Sequence, residues 1–168
     1  MELLIGCGNS RVKQMHLPDA EQWQELVTLD MMDDCKADIV HDLNVLPYPF
    51  TDEKFDEIHA YDVLEHCGKQ GDWRFFFDQW SEFWRILKPA GLFFGACPAW
   101  DSEWAWGDPS HTRIISQSSL VFLSQRMYQN GVGKGPMSDY RSYYHADFEL
   151  VYTNIAADKK FRFTLRKC

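Results

Sequence analysis

Short apolar segments alternate with turn residues along the whole chain. Runs of this kind, with little polar alternation, are typical of strands buried on both faces of a parallel sheet. Five such strands are predicted before residue 100: Leu3–Ile5, Leu26–Leu29, Ala37–Val40, Phe55–Ala60 and Leu92–Ala96. Two further runs, Phe148–Ile155 and Lys159–Leu165, are separated by only three residues, which predicts an antiparallel pair.

A helical period is clearest between residues 73 and 87. Asp72 is placed to cap the start of this segment, and Pro89 ends it. Seven large apolar side chains recur at the spacing of a single helical stripe: Trp73, Phe76, Phe77, Trp80, Phe83, Trp84 and Leu87. The pattern predicts a core-facing helix over Trp73–Leu87, and a second helix is predicted from about Gln117 to Gln129.

The chain between the second and fourth strands leaves little room for helices, because Pro47 and Pro49 interrupt it. Strands that alternate with helices or long loops indicate an α/β fold. We therefore predict one α/β domain over residues 1–168, in which several crossover helices are reduced to loops.

Composition and charge restrict the cellular location and the kinds of ligand that we expect for this domain. The 168 residues are 45% hydrophobic, which is enough for a core without disulfides. The five cysteines never form a C-x-x-C pair, no apolar run reaches the roughly 18 residues of a membrane span, and the N-terminus does not resemble a signal peptide. These features favour a cytoplasmic protein. The net charge of −8 argues against a protein that binds nucleic acid through its phosphates.

Glycine and polar residues follow four of the predicted strands. Ligands of open parallel sheets bind outside the carboxyl ends of the strands, so these positions are the predicted site. Each feature alone also has a structural explanation: Gly6-Cys7-Gly8 can be a tight turn, and Asp30 can cap a helix. The order of the four features is more specific: Gly6-Cys7-Gly8, Asp30, Asp42-Leu43 and Tyr61–His66.

These ordered motifs resemble the class I S-adenosylmethionine-dependent methyltransferases, in the small branch called type 11. The matching strings are LIGCGN at 4–9, FDEI at 55–58, VLEH at 63–66 and RILKPAG at 85–91. The resemblance covers roughly residues 3–125. It implies a Rossmann-like sheet of seven strands, mostly parallel with an antiparallel last strand, and S-adenosylmethionine as the cofactor.

The resemblance also implies roles for individual residues. By position, the methionine part of the cofactor would be faced by Gly6, Cys7, Gly8 and Asn9. Asp30 would hold the ribose, with the adenine beside Met31 and flanked by Asp42 and Leu43. Tyr61 and Asp62 would lie near the sulfonium and the acceptor. The sequence departs from the family pattern at two points. The first strand lies at the start of the chain, without the cap helices that usually precede it, and Leu4 stands where members commonly have an acidic residue.

The acceptor is expected to be a small molecule, with a hydroxyl of a sugar or a related metabolite favoured. Asp108–Arg113 resembles a segment of family members near sugar and surface-glycan pathways. Methyl transfer to a hydroxyl needs a group that takes up its proton, and His111 is the first candidate, followed by His66 and Asp62. His111 is equally well explained as a residue that only positions a helix.

Several alternatives stay open. Asp62-x-x-Glu65-His66 resembles the metal cluster of metal-dependent O-methyltransferases, including enzymes that methylate RNA 2′-hydroxyls. We favour the explanation that Asp62 caps a helix and that His66 packs. The chain can also be a cofactor-binding partner subunit without catalysis, or form a homo-oligomer that covers the open site. Trp100, Trp104 and Trp106 can form a stacking surface for a flat acceptor, but we expect them to be buried in their own loop.

Overall fold

The computed structural model describes residues 1–168 and contains a single seven-stranded sheet. Its strands are β1 (Glu2–Ile5), β2 (Leu26–Asp30), β3 (Ile39–Val40), β4 (Phe55–Tyr61), β5 (Leu87–Pro98), β6 (Phe148–Ile155) and β7 (Lys160–Lys167). Their spatial order is β3-β2-β1-β4-β5-β7-β6. β7 is antiparallel to both of its neighbours, β5 and β6, and all the other neighbouring pairs are parallel. The α/β, Rossmann-like sheet with an antiparallel last strand is therefore confirmed.

Helix α1 (Trp73–Ile86) covers one face of the sheet and agrees with the predicted stripe. The Asp72 carboxylate accepts a hydrogen bond from the Phe75 amide at 3.2 Å, which caps the first turn. Trp80, Phe83 and Ile86 are completely buried. Because Leu87 already has extended backbone, the last residue of the stripe starts β5.

The chain after β5 is more broken than the sequence predicts. A short helix, α2 (Glu103–Gly107), was not predicted. The helix predicted over 117–129 is wrong as one element, because it divides into α3 (Gln117–Leu120), a 3-10 turn (Val121–Leu123) and α4 (Gln125–Gly131). The break lies at Ser124, whose extended backbone ends the turn and whose hydroxyl accepts a hydrogen bond from the Met127 amide to cap α4.

Crossover helices are reduced, as predicted. Residues 6–25 join β1 to β2 without a helix, and only a 3-10 turn, Asp33–Cys35, lies between β2 and β3. No helix of the structure is long and apolar enough to cross a bilayer.

A set of polar side chains attaches the helix-free segment 6–25 to the sheet. We call it the buried polar cluster, and its members are Glu2, Lys13, Glu57, His59 and Tyr61. The Lys13 ammonium lies 2.8 Å from a Glu2 oxygen and 3.1 Å from a Glu57 oxygen. His59 contacts Glu57 at 2.9 Å through Nε2 and the Tyr61 hydroxyl at 2.6 Å through Nδ1. Paired charges therefore hold this segment, which has no helix, against β1 and β4.

Candidate active site

The glycine turn after β1 brings the backbone close to β4. Gly6 and Gly8 both have positive φ, at 61° and 47°. A Cβ on Gly6 would lie 2.3 Å from a methyl carbon of Val63, so only glycine fits there. The Arg11 guanidinium donates to the carbonyls of Gly8 at 2.7 Å and Cys35 at 2.9 Å. Arg11 thus joins this turn to the 3-10 turn after β2.

Asp30 holds the same turn from the end of β2. One carboxylate oxygen accepts from the Gly8 amide at 2.8 Å, and the other accepts from the Met32 amide at 2.9 Å. Each carboxylate oxygen has lone pairs left for a further donor. The side chain is therefore both a support for the glycine turn and an acceptor at the floor of the cleft described next.

A cleft of about 240 Å³ opens at the carboxyl ends of β1, β2 and β4. Its lining includes eight of the predicted site residues: Gly6, Gly8, Asp30, Met31, Asp42, Leu43, Asp62 and His66. The sequence therefore locates the cleft and most of its wall. His41 and Asn44 also line it and have no role predicted from the sequence, and Val63 lines it as part of the VLEH string, without a predicted role of its own.

Three predicted residues point elsewhere. The Cys7 side chain is buried in a small apolar group with Cys35 and Phe94, behind the glycine turn. Asn9 is exposed and is not part of the cleft wall. The Tyr61 hydroxyl belongs to the buried polar cluster and accepts from the Met15 amide at 3.1 Å. Any contact of Cys7 or Tyr61 with a ligand in the cleft is through the backbone.

The cleft suits a cofactor that carries a nucleoside. A Cβ on Gly8 would meet nothing within 4 Å, so the backbone there is open to a ligand. A buried carboxylate at the end of β2 suits ribose hydroxyls, and the apolar Leu43 suits the face of a base. The wall residues thus fit the cofactor that the sequence motifs imply.

A second polar group adjoins the cleft at His66. Glu65 is only 3% exposed, and neither oxygen of its carboxylate has a hydrogen-bond partner. This burial raises the pKa of Glu65 to about 7. His111 places Nε2 4.0 Å from a Glu65 oxygen and 3.8 Å from an Asp108 oxygen, and its ring lies 4.7 Å from that of His66. Asp62, which has a positive φ of 52°, pairs with Lys160 instead.

The tryptophan loop does not bury its own side chains. Trp100, Trp104 and Trp106 are 59%, 64% and 72% exposed, so the expectation of burial is wrong. The short α2 explains the difference, since it inserts Ala105 into the protein and leaves the indoles on either side outside. His111 Nδ1 lies 2.8 Å from the Trp104 carbonyl, which connects this loop to the polar group at Glu65.

Known structures with the same fold cover nearly the whole chain. A chain of the Haloferax volcanii complex between the Trm112 methyltransferase activator and a methyltransferase is 14% identical, with a TM-score of 0.63, and the match covers 99% of this chain and 81% of that one. An S-adenosylmethionine-dependent methyltransferase from Archaeoglobus fulgidus is 15% identical, with a TM-score of 0.61 and coverage of 99% and 85%. The N-methyltransferase NodS from Bradyrhizobium japonicum is 15% identical, with a TM-score of 0.57 and coverage of 99% and 84%.

These likenesses establish the fold, whereas the sequence itself establishes the family. A search of curated proteins finds no match. The profile of the family described as "Methyltransferase domain" matches residues 3–95, which is more than half of the chain. That segment contains the glycine turn, Asp30, Asp42 and the end of β4, all of which form the cleft. The chain belongs to this methyltransferase-domain family, whose cofactor is S-adenosylmethionine.

Proposed function

We propose that the protein transfers the methyl group of S-adenosylmethionine to a hydroxyl of a small molecule, a sugar or a related metabolite. The proposal depends on one observation. His66 lines the cofactor cleft, its ring contacts His111, and His111 is hydrogen-bonded to the tryptophan loop. Groups that can act on a hydroxyl thus connect the cleft to an exposed aromatic surface.

For this reaction the protein has mainly to align the acceptor with the methyl group of the cofactor. The cofactor supplies a methyl group that is already activated as a sulfonium. Transfer forms a carbon–oxygen bond to the acceptor, breaks the carbon–sulfur bond and releases the hydroxyl proton. Holding the acceptor oxygen in line with the methyl group can lower the barrier by up to roughly 7–11 kcal/mol. His111, His66 and Asp62 are the residues we propose to act on the hydroxyl.

The exposed indoles favour a flat or sugar-like acceptor. Aromatic rings offer an apolar face to the C–H side of a sugar ring while its hydroxyls reach polar groups. Three indoles with more than half of their surface exposed are unusual for a protein without a ligand for them. The net charge of −8 disfavours RNA as the acceptor, because a phosphate backbone requires a basic surface.

A second candidate is a cofactor-binding subunit that depends on a partner chain. Met31 and Met32, at the mouth of the cleft, are 62% and 52% exposed, in addition to the tryptophans. A partner that covers this apolar rim would complete the acceptor site. This candidate predicts cofactor binding without turnover by the isolated chain.

Two measurements test the proposed function in order. Isothermal titration with S-adenosylmethionine and S-adenosylhomocysteine should give about one site per chain. A screen of sugars and nucleosides should then show formation of S-adenosylhomocysteine, with His111→Ala slowing turnover and leaving cofactor affinity unchanged. Absence of cofactor binding by the folded protein would refute the proposal. Binding without turnover on any hydroxyl acceptor would favour the partner subunit, and turnover on RNA alone would replace the small-molecule acceptor.

A further inference from the structure

We propose that an aromatic cavity beside α1 binds a small aromatic carboxylate, whose charge pairs with Arg113. The cavity has a volume of about 210 Å³ and is lined by the start of α1, by residues of the segment 113–122 and by Tyr140. None of these residues lines the cleft at the carboxyl ends of β1, β2 and β4. The cavity is therefore a second site, which does not depend on the proposed function.

The wall of the cavity is suited to a flat apolar group. Its aromatic side chains are Trp73, Phe76, Phe77, Phe122 and Tyr140. The ring centroid of Tyr140 lies 5.3 Å from that of Trp73 and 4.9 Å from that of Phe77, so these rings form one connected surface. An apolar cavity of about 150 Å³ can hold a benzene molecule. The larger cavity beside α1 therefore has room for one aromatic ring with a carboxylate group.

Arg113 supplies a charge that has no counter-ion inside the protein. The side chain lines the cavity and is only 5% exposed. Its Nε donates to the Leu64 carbonyl at 2.9 Å, and one terminal nitrogen donates to the side-chain oxygen of Gln79. Both acceptors are uncharged. Because a guanidinium has five N–H groups, three of them are left without an acceptor in the protein.

A buried charge of this kind is unfavourable unless another group compensates for it. The ring of Phe75, whose centroid lies 5.9 Å from Arg113 Cζ, compensates for only a part of it. The Glu65 carboxylate is buried in the same region, but it forms no hydrogen bond with Arg113 or with any other group. A carboxylate that enters the cavity would supply the missing charge and accept two parallel N–H bonds from the guanidinium.

Two more side chains of the wall favour an anion. The side-chain oxygen of Gln70 accepts from the Ile114 amide at 2.9 Å, which leaves the NH₂ group of Gln70 free to donate. Lys69 is exposed and adds a second positive charge. Asp72 is the one acid of the wall, and its carboxylate caps α1. The N-terminal end of α1 lies at the same wall, and the helix dipole there also favours a negative group.

The balance of charge favours a carboxylate over a phosphate. Arg113 and Lys69 exceed Asp72 by one positive charge, which matches the single negative charge of a carboxylate. A phosphate ester carries nearly two negative charges at neutral pH and would meet the Asp72 carboxylate with both. The flat rings of the wall favour a planar ligand. Benzoate has this combination of one ring and one carboxylate and is therefore the probe.

Arg113 also has a structural role, which the experiment has to separate from ligand binding. Its bonds to Leu64 and Gln79 join the turn after β4 to α1, so its replacement lowers stability in any case. Gln70 offers a milder change because its side chain is exposed. Gln70→Glu keeps an acceptor for the Ile114 amide and replaces only the free NH₂ group by a negatively charged oxygen.

The test is calorimetric titration of the full chain with benzoate, without cofactor. We expect one site per chain, and at least about tenfold weaker binding of benzamide, which has the same shape and no charge. Gln70→Glu and Arg113→Met should each weaken benzoate binding at least about tenfold. Arg126→Met, at an exposed arginine of α4 outside the cavity, should bind benzoate as the wild type does. Circular dichroism shows which variants are folded.

Four results would overturn the site: no saturable binding at millimolar benzoate, equal binding of benzamide, unchanged benzoate affinity in either variant if folded, or tighter binding of phenyl phosphate. Displacement of benzoate by S-adenosylhomocysteine would place it in the cofactor cleft and overturn the site as well. The proposed function is tested separately, by S-adenosylhomocysteine binding to the same preparations. Benzoate binding without cofactor binding would refute the proposed function and leave the carboxylate site in place.

Discussion

Replacing Asp30 by alanine should damage stability and cofactor binding together. The carboxylate accepts from the Gly8 and Met32 amides, so the substitution leaves two donors without their partner. Both bonds are partly buried, which lets water restore part of the loss, and we expect the free energy of unfolding to fall by about 1–3 kcal/mol. A lost hydrogen bond from ribose to a charged group is worth about 1.5–3 kcal/mol, so cofactor affinity should fall by about 10- to 150-fold.

Urea denaturation and calorimetry with S-adenosylhomocysteine measure the two effects on the same protein. Asp34→Ala is the matched control, since it removes an exposed acid from the adjacent 3-10 turn. Asp30→Asn should fall between wild type and Asp30→Ala, because its amide keeps one acceptor oxygen. If the free energy of unfolding of Asp30→Ala lies within about 0.5 kcal/mol of the wild-type value, the claim that this carboxylate supports the glycine turn is refuted. Unchanged cofactor affinity would refute the ribose contact.

Three further predictions concern other parts of the structure. Gly8→Ala should lower the free energy of unfolding by about 1–2 kcal/mol because of the positive φ at this position. Gly6→Ala should lower it clearly more, because the added Cβ also overlaps Val63. Equal losses of the two variants in urea denaturation would contradict this overlap. Trp104→Ala should change stability by less than about 0.5 kcal/mol and raise the KM for the acceptor, while an unchanged KM would remove the indole from the acceptor site. Burial lowers the pKa of His59, despite the opposing effect of Glu57, so the unfolded chain takes up a proton first as the pH falls below about 6.5. Stability should therefore fall with decreasing pH by up to about 1.4 kcal/mol per pH unit, and His59→Phe should flatten this dependence; parallel curves for the two proteins would contradict the assignment.

The sheet and α1 are predictable because their signals are local. The stripe from Trp73 to Leu87 repeats at helical spacing within one segment, and β1 and the second half of β5 are short, mostly apolar runs. The break at Ser124 is not predictable in this way. A serine hydroxyl can cap a helix or point to solvent from inside one, and the tertiary fold decides between the two.

The polar groups are predictable as residues but not as pairs. Glu2 and Glu57 are neighbours only because β1 and β4 are parallel in that register, and Lys13 reaches both from a segment without regular structure. Glu65 and His111 meet because hydrogen bonds from Thr112 and Arg113 to the carbonyls of residues 64 and 65 join two segments that are distant in sequence. Strand-end residues are different, because the rule for open sheets already brings Gly6, Asp30 and Asp62 to one edge.

The exposed tryptophans give the molecule an optical signal of its own. Three of the seven indoles are more than half exposed and should emit as in water, whereas Trp80 is completely buried and should emit as in an apolar core. A ligand that covers the tryptophan loop withdraws all three from water at once, so emission should shift to the blue and iodide quenching should decrease. Because neither change requires a methyl group to move, acceptors can be sought by fluorescence before any turnover is detected.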